Sequence, residues 1–170
     1  MGELAAGLLD GALRREPGDA NLYGAAAALR LRLGQPEAAA GYTRAAIALA
    51  PRDPEWLNNL GVIFAKMGRL AEAEQCYRER LARFGPEPAA LDNLGKALFR
   101  QGRPAEALAQ FRLAADLDPG NPEPLLNLGI AALEVGDEGT AAWAAAKLER
   151  ADRGAWEQLE AERRARRRSQ

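Results

Sequence analysis

The chain contains no histidine, one cysteine (Cys76), one serine (Ser169) and only two threonines, Thr43 and Thr140. Without histidine, neither a Ser–His–Asp nor a Cys–His catalytic set can be assembled. Zinc sites of the Cys/His type lack ligands, and a lone cysteine cannot close an internal disulfide. Ser169 lies beside the C-terminus, where no preorganised site is expected. Aromatic residues amount to only 6% while hydrophobic residues reach 48%, so alanine and leucine must supply the core. Charge of one dominant sign is also missing: 23 Lys and Arg face 24 Asp and Glu, a formal net charge of −1. Such a chain does not coat nucleic acid or an anionic membrane along its length. The first ten residues carry Glu3 and Asp10 and lack the basic start and apolar run of a secretory signal. No stretch approaches 18 uninterrupted apolar residues, the minimum for a membrane span. These absences predict a soluble, cytoplasmic protein that binds and does not catalyse, with no cofactor and no metal.

What is present is repetition, within a length of 170 residues that suits one domain or one repeat array. Asn59-Leu60-Gly61, Asn93-Leu94-Gly95 and Asn127-Leu128-Gly129 recur every 34 residues, as do Ala73, Ala107, Ala141 and Gly68, Gly102, Gly136. One interval upstream stand Gly34 and Ala39, with Ala26-Ala27 where Leu-Gly stood; Pro17 aligns with Pro51 and Pro119. Within a unit the periodicity is helical. Leu57, Leu60, Phe64 and Leu91, Leu94, Leu98 follow the i, i+3, i+7 spacing of one helix face. Gly68 and Gly102 fall where a C-terminal cap is expected. A second helix is predicted in each unit, with Leu70, Ala73, Tyr77 and Leu81 on its face, or Ala107, Leu108, Phe111, Ala114 and Ala115. The run Asp118-Pro119-Gly120-Asn121-Pro122 then turns the chain. Strand signals are absent, because β-branched residues are few and nowhere alternate.

Units of this length and pattern resemble tetratricopeptide (TPR) repeats, whose signature is W-x2-L-G-x2-Y…A-x3-F…P. It appears here as Leu57-x2-Leu60-Gly61-x2-Phe64 with Ala73-x3-Tyr77, and as Leu91-x2-Leu94-Gly95-x2-Leu98 with Ala107-x3-Phe111 and Pro119. The resemblance implies an all-α fold, a right-handed superhelical solenoid of antiparallel helix pairs. It divides the chain into a partial repeat or N-terminal cap (1–19), four repeats (20–53, 54–87, 88–121 and 122–153), and a C-terminal capping helix with a basic tail (154–170). The small residues at the Gly and Ala columns let paired helices approach closely, and Leu and aromatic side chains fill what remains. A single unit cannot bury its apolar face, so stability is a nearest-neighbour sum.

Departures from the signature fall in particular units. The first repeat has Ala26-Ala27 for Leu-Gly, Arg30 for the large aromatic and Thr43 for Phe. The second has Arg80 where the family prefers Ala, and Gly85-Pro86 shifts the proline by one. The fourth has Ala132 and Ala145 at the large positions, so looser packing is expected in the outer repeats.

By the same resemblance, six columns of each first helix point into a concave groove. They are Asn21, Gly24, Ala25, Ala28, Leu31 and Arg32 in the first repeat, and Glu55, Asn58, Asn59, Val62, Ala65 and Lys66 in the second. The third contributes Ala89, Asp92, Asn93, Lys96, Phe99 and Arg100, and the fourth Glu123, Leu126, Asn127, Ile130, Leu133 and Glu134. The expected partner is another protein, presented as an extended peptide or a helix. Asn59, Asn93 and Asn127 share one column and resemble the asparagine ladder that pairs with peptide backbones in some long TPR superhelices; within-repeat bonding of the same amides is the competing role. The family's chaperone-type carboxylate clamp is not matched: Gly24 and Ala28 stand where Lys and Asn are needed.

Both ends raise separate expectations. Leu4, Leu8, Leu9 and Leu13 would face a helix that the chain does not supply before them, which suggests a cap on the next unit, a piece cut from a longer array, or self-association into a stacked homo-oligomer. A recognition portion of a larger enzyme or secretion assembly is the third class. At the other end Trp156 and Leu159, at i and i+3, can cover the last repeat. Residues 153–170 then carry six Arg against three Glu, a run that either meets phosphates or an acidic partner, or is a solvated, fraying tail. With no interleaved aromatics for base stacking, nucleic acid is disfavoured. Trp56 and Trp143 read as packing anchors, and Cys76 as a packed or surface thiol without redox function.

Overall fold

The computed structural model describes residues 2–168. Among these the chain forms ten helices and no strand. It divides into two compact units, one reaching to Phe84 and the other starting at Gly85.

The first unit comprises α1 (Gly2–Arg15), α2 (Ala20–Arg32), α3 (Pro36–Leu49), α4 (Pro54–Lys66) and α5 (Leu70–Phe84). Each helix packs against the next in chain order. Local chemistry sets the ends. Asp19 caps α2 by accepting from the backbone N–H groups of Asn21 and Leu22, and Asp53 caps α4 by accepting from that of Glu55. Both carboxylates satisfy donors that a helix start leaves open. Pro54 takes the first helical position, where its missing N–H costs nothing. At the far end of α4, Gly68 adopts φ +75°, and the N–H of Arg69 reaches the carbonyl of Phe64 at 2.9 Å. That left-handed residue with its long return bond is a Schellman closure, which favours glycine.

The pairing of α4 with α5 explains the Gly–aromatic pattern. A Cβ placed on Gly61 would lie 2.5 Å from the Tyr77 ring, and Tyr77 itself is 1% exposed. The ring therefore lies flat against bare backbone, and no larger residue fits beneath it.

α1 is tied on by polar contacts. Arg30 of α2 donates to Asp10 at 2.7 Å, and the Tyr42 hydroxyl of α3 donates to the same carboxylate at 2.7 Å. Arg30, which replaces the large aromatic of the repeat, thus clamps α1 where an aromatic ring would have packed. The hydrogen bond to Asp10, then burial and the Asp10 charge, push the Tyr42 pKa above its ordinary value of 10.0, although Arg30 opposes them. A folded-state pKa raised in this way gives stability that is complete below pH 10 and lost as pH rises through the raised value. Asp10→Ala is expected to return Tyr42 toward its ordinary titration, as followed by NMR of labelled tyrosine. An unshifted Tyr42 in that variant would mean that the bond does not form in solution.

The second unit comprises α6 (Pro88–Arg100), α7 (Pro104–Leu117), α8 (Pro122–Val135), α9 (Glu138–Ala151) and α10 (Arg153–Arg168). Glu87, Asn121 and Asp137 cap α6, α8 and α9 through side-chain oxygens. The α6–α7 pair repeats the arrangement of α4–α5: a Cβ on Gly95 would lie 2.6 Å from the Phe111 ring. In the α8–α9 pair the aromatic is missing, because Ala145 stands at its position. The gap is filled from elsewhere. Leu159 of α10 lies over Gly129, where a Cβ would sit 2.4 Å from Leu159 Cδ2, and Leu159 is fully buried. The looser packing expected of this repeat is absent for that reason: Ala145, Leu148 and Leu159 belong to one core cluster, against which Trp156 also packs.

α10 runs helically through the basic segment. Arg163 pairs with Glu160 and Glu138, and Arg166 pairs with Glu134 and donates to the Leu133 carbonyl at 3.0 Å. These two arginines are therefore part of the helix's attachment to α8 and α9, and are not loose cations.

Candidate functional site

In the first unit the first helices α2 and α4, with α3 behind them, border an apolar cavity of about 140 Å³. Its origin is legible in the repeat register. Ala27 and Thr43, both lining it, occupy the columns that hold Gly61 and Tyr77 in the next repeat. The aromatic ring that fills this space elsewhere is absent here, and the Thr43 hydroxyl turns away to donate to the Ala39 carbonyl at 2.9 Å. Trp56 forms another wall, its six-membered ring lying against Gly24, where a Cβ would sit 2.5 Å away. The Trp56 indole N–H is buried with no hydrogen-bond partner among the described residues. Such an orphaned donor is costly in a core. Asn59 and Val62 complete the α4 side. Asn59 is exposed and its side chain makes no hydrogen bond among the described residues, so both of its hydrogen-bonding groups are available.

The second unit presents a different chemistry on α6 and α8. Asp92 is buried, accepts from the Asn127 side-chain amide at 2.8 Å and pairs with Lys96 at 2.6 Å. Lys96 also pairs with Glu123. Burial works against the Lys96 ammonium, but hydrogen bonds to Asp92 and Glu123 outweigh it and hold its pKa above the ordinary lysine value. These side chains satisfy one another. Asn127→Ala is accordingly expected to lower stability by about 1 kcal/mol, because it takes a donor from a buried carboxylate. A denaturation curve identical to that of the parent would mean that this bond contributes nothing.

The remaining predicted groove residues are distributed unevenly. Asn58, Asn93 and Phe99 are half-buried, and Lys66 and Arg100 are exposed. Ile130 packs against the core cluster that includes Leu159, and Glu134 is engaged by Arg166. Part of the α8 face is therefore already covered by α10. The N-terminal leucines also split: Leu4 and Leu8 are 74% and 75% exposed, but Leu13 is buried and does not belong to an open face.

Three further residues depart from, or add to, the sequence reading. Trp143, expected to be a packing anchor, is 37% exposed, with the Arg112 guanidinium 4.4 Å and the Lys147 ammonium 5.7 Å from its ring. Cations over the ring face favour that half-open position. Cys76 is buried, and burial pushes its thiol up to about 11, so the reactive thiolate is suppressed at neutral pH. The Lys96 network was missed: the i, i+4 spacing of Asp92 and Lys96 signalled its first bond, but the contacts to Glu123 and Asn127 depend on helix placement. Among the described residues no group of carboxylates or thiols could hold a metal ion, and no helix is long and apolar enough to cross a membrane.

Helix pairs of this kind, joined by tight glycine turns and locked by a small residue under a ring, define a class of all-α repeat proteins. A sequence model of the tetratricopeptide repeat matches residues 25–88, 58–122 and 93–155. The chain belongs to the tetratricopeptide repeat family. Its structure is similar to that of MamA 41-end from Desulfovibrio magneticus RS-1, at 21% identity over 90% of this chain and 86% of that one, with a TM-score of 0.80. It is similar to YrrB, described as a TPR protein with an unusual peptide-binding site, at 20% identity, 95% and 84% coverage and a TM-score of 0.77. PilF of Pseudomonas aeruginosa matches at 23% identity, 95% and 90% coverage and a TM-score of 0.67. No curated protein sequence matches the chain. These likenesses establish the fold.

Proposed function

We propose that the protein is a non-catalytic interaction scaffold whose first-helix faces hold an extended segment or helix of a partner protein. The observation that carries this reading is the open apolar cavity of the first unit with the unpaired Asn59 amide at its edge. An apolar recess with a few placed polar groups is the usual form of a recognition site, and a free amide can both donate to and accept from a peptide backbone. The self-satisfied Lys96 network makes the second unit the weaker candidate, and the proposed asparagine ladder is reduced there because Asn127 is bound to Asp92. Peptides selected by display on the intact chain should perturb the NMR signals of Ala28, Asn59 and Val62. Asn59→Ala should weaken them by about 0.5–1.5 kcal/mol while the melting temperature holds. Perturbation confined to α3 and α5 would refute this reading.

A second reading, stacking between copies, is favoured by Leu4 and Leu8, exposed one turn apart on α1. Light scattering tests it. Concentration-dependent growth that Leu8→Glu abolishes would support stacking, and a monomer at all concentrations would exclude it.

A further inference from the structure

Two repeats of this chain lack the aromatic that normally covers the Gly column, and the two gaps have different fates. At Gly129 and Ala145 the space is taken by Leu159, supplied from α10. At Ala27 and Thr43 nothing supplies an equivalent, and a cavity of about 140 Å³ remains open. An apolar cavity of about 150 Å³ accommodates a benzene ring, so the space suits one leucine-sized or phenylalanine-sized side chain.

The charges beside the cavity are one-sided. Arg32 lies one helical turn beyond Ala28, and Lys66 one turn beyond Val62, so each stands on the cavity's side of its helix. Both are exposed and make no ion pair or hydrogen bond among the described residues. α2 contains no acidic residue, and the one acidic residue of α4, Glu55, lies at the opposite end of that helix. In the second unit, by contrast, Lys96 is neutralised by Asp92 and Glu123.

Resting on the scaffold reading above, we propose that the Ala27–Thr43 cavity takes a bulky apolar side chain of a partner segment that carries Asp or Glu within a few residues. The apolar residue enters as Leu159 does in the fourth repeat, and the carboxylate meets Arg32 and Lys66. Apolar burial gives the affinity. The ion pairs, lying at the rim, give selection against basic segments and faster association.

The repeat itself supplies a variant that should fold. Ala27→Gly with Thr43→Tyr restores the residues of the second repeat, whose Gly61 and Tyr77 already pack together. Random peptides are displayed against the intact chain, and the enriched sequences are synthesised and titrated calorimetrically. The expected result is enrichment of Leu, Ile, Met or Phe close to Asp or Glu. Affinity should fall about tenfold or more in A27G/T43Y, because a filled cavity cannot bury the anchor, while the melting temperature stays level or rises. R32Q/K66Q should weaken the acidic peptides about tenfold and abolish their salt dependence. Peptides that bind parent and A27G/T43Y alike, or that lack acidic residues, while still perturbing α2 and α4 would overturn this proposal and leave the scaffold reading in place. Failure to enrich any peptide would overturn both.

Discussion

Leu159→Ala is expected to destabilise the protein by about 2–5 kcal/mol, the range for emptying a buried leucine site. The upper part of that range applies here. Leu159 is 0% exposed and lies against the bare backbone of Gly129, so its removal strips contacts from α8 and α9 at once. Closure of the space is limited, because Ala115, Ala132, Ala141, Ala144 and Ala145 make up five of the nine buried members of its core cluster and are too short to fill it, leaving Leu125, Leu133 and Leu148 to relax. The loss should be local. In a repeat array each element depends on its neighbours, so amide exchange should accelerate in α8, α9 and α10 while α2–α4 keep their protection. Arg166→Ala is the matched control. It removes an exposed contact to Glu134 and a part-buried bond to the Leu133 carbonyl, each worth about 1 kcal/mol or less. If both variants melt alike, α10 is held by charge and not by its leucine.

That prediction also marks what the sequence could and could not show. The fold was legible because its determinants are local: a 34-residue period, prolines and acidic caps at helix starts, and glycine at positive φ after first helices. Leu159 was legible as a covering residue, since Trp156 and Leu159 form an apolar pair on an otherwise charged helix. Its destination was not. The register places Ala145 at the aromatic column but cannot say that a residue 14 positions later enters the gap. The cavity in the first unit was half legible in the same way. Thr43 was visible as a missing aromatic, and the structure was needed to show that no other side chain takes its place. Lys96 looked like a groove cation in the sequence, and only the approach of α8 to α6 reveals that Glu123 and Asp92 neutralise it. Arg30, read as a defect, became a clamp because Asp10 sits on a helix that the repeat register leaves partial. Each missed feature is a contact between residues distant in sequence, made where a repeat departs from its own pattern.

The central repeat offers the sharpest test of the packing rule. Phe111→Ala is expected to cost about 3–5 kcal/mol, since the ring is 1% exposed and covers Gly95. Gly95→Ala involves two opposed effects. Alanine is the better helix former by about 1 kcal/mol, but its methyl group would lie 2.6 Å and 2.7 Å from two carbons of the Phe111 ring. Overpacking of that kind typically costs about 1–3 kcal/mol, and the buried ring has nowhere to retreat, so steric cost wins and the single variant is destabilised. In the Phe111→Ala background the ring is gone and the same methyl group enters vacated space. There the propensity gain should stand alone, and Gly95→Ala should stabilise by about 1 kcal/mol. The substitution therefore changes sign with the identity of residue 111, which a double-mutant cycle measured by chemical denaturation reads directly. If Gly95→Ala stabilises both backgrounds equally, the glycine is not needed for the close approach, and the repeat's Gly column has some other cause.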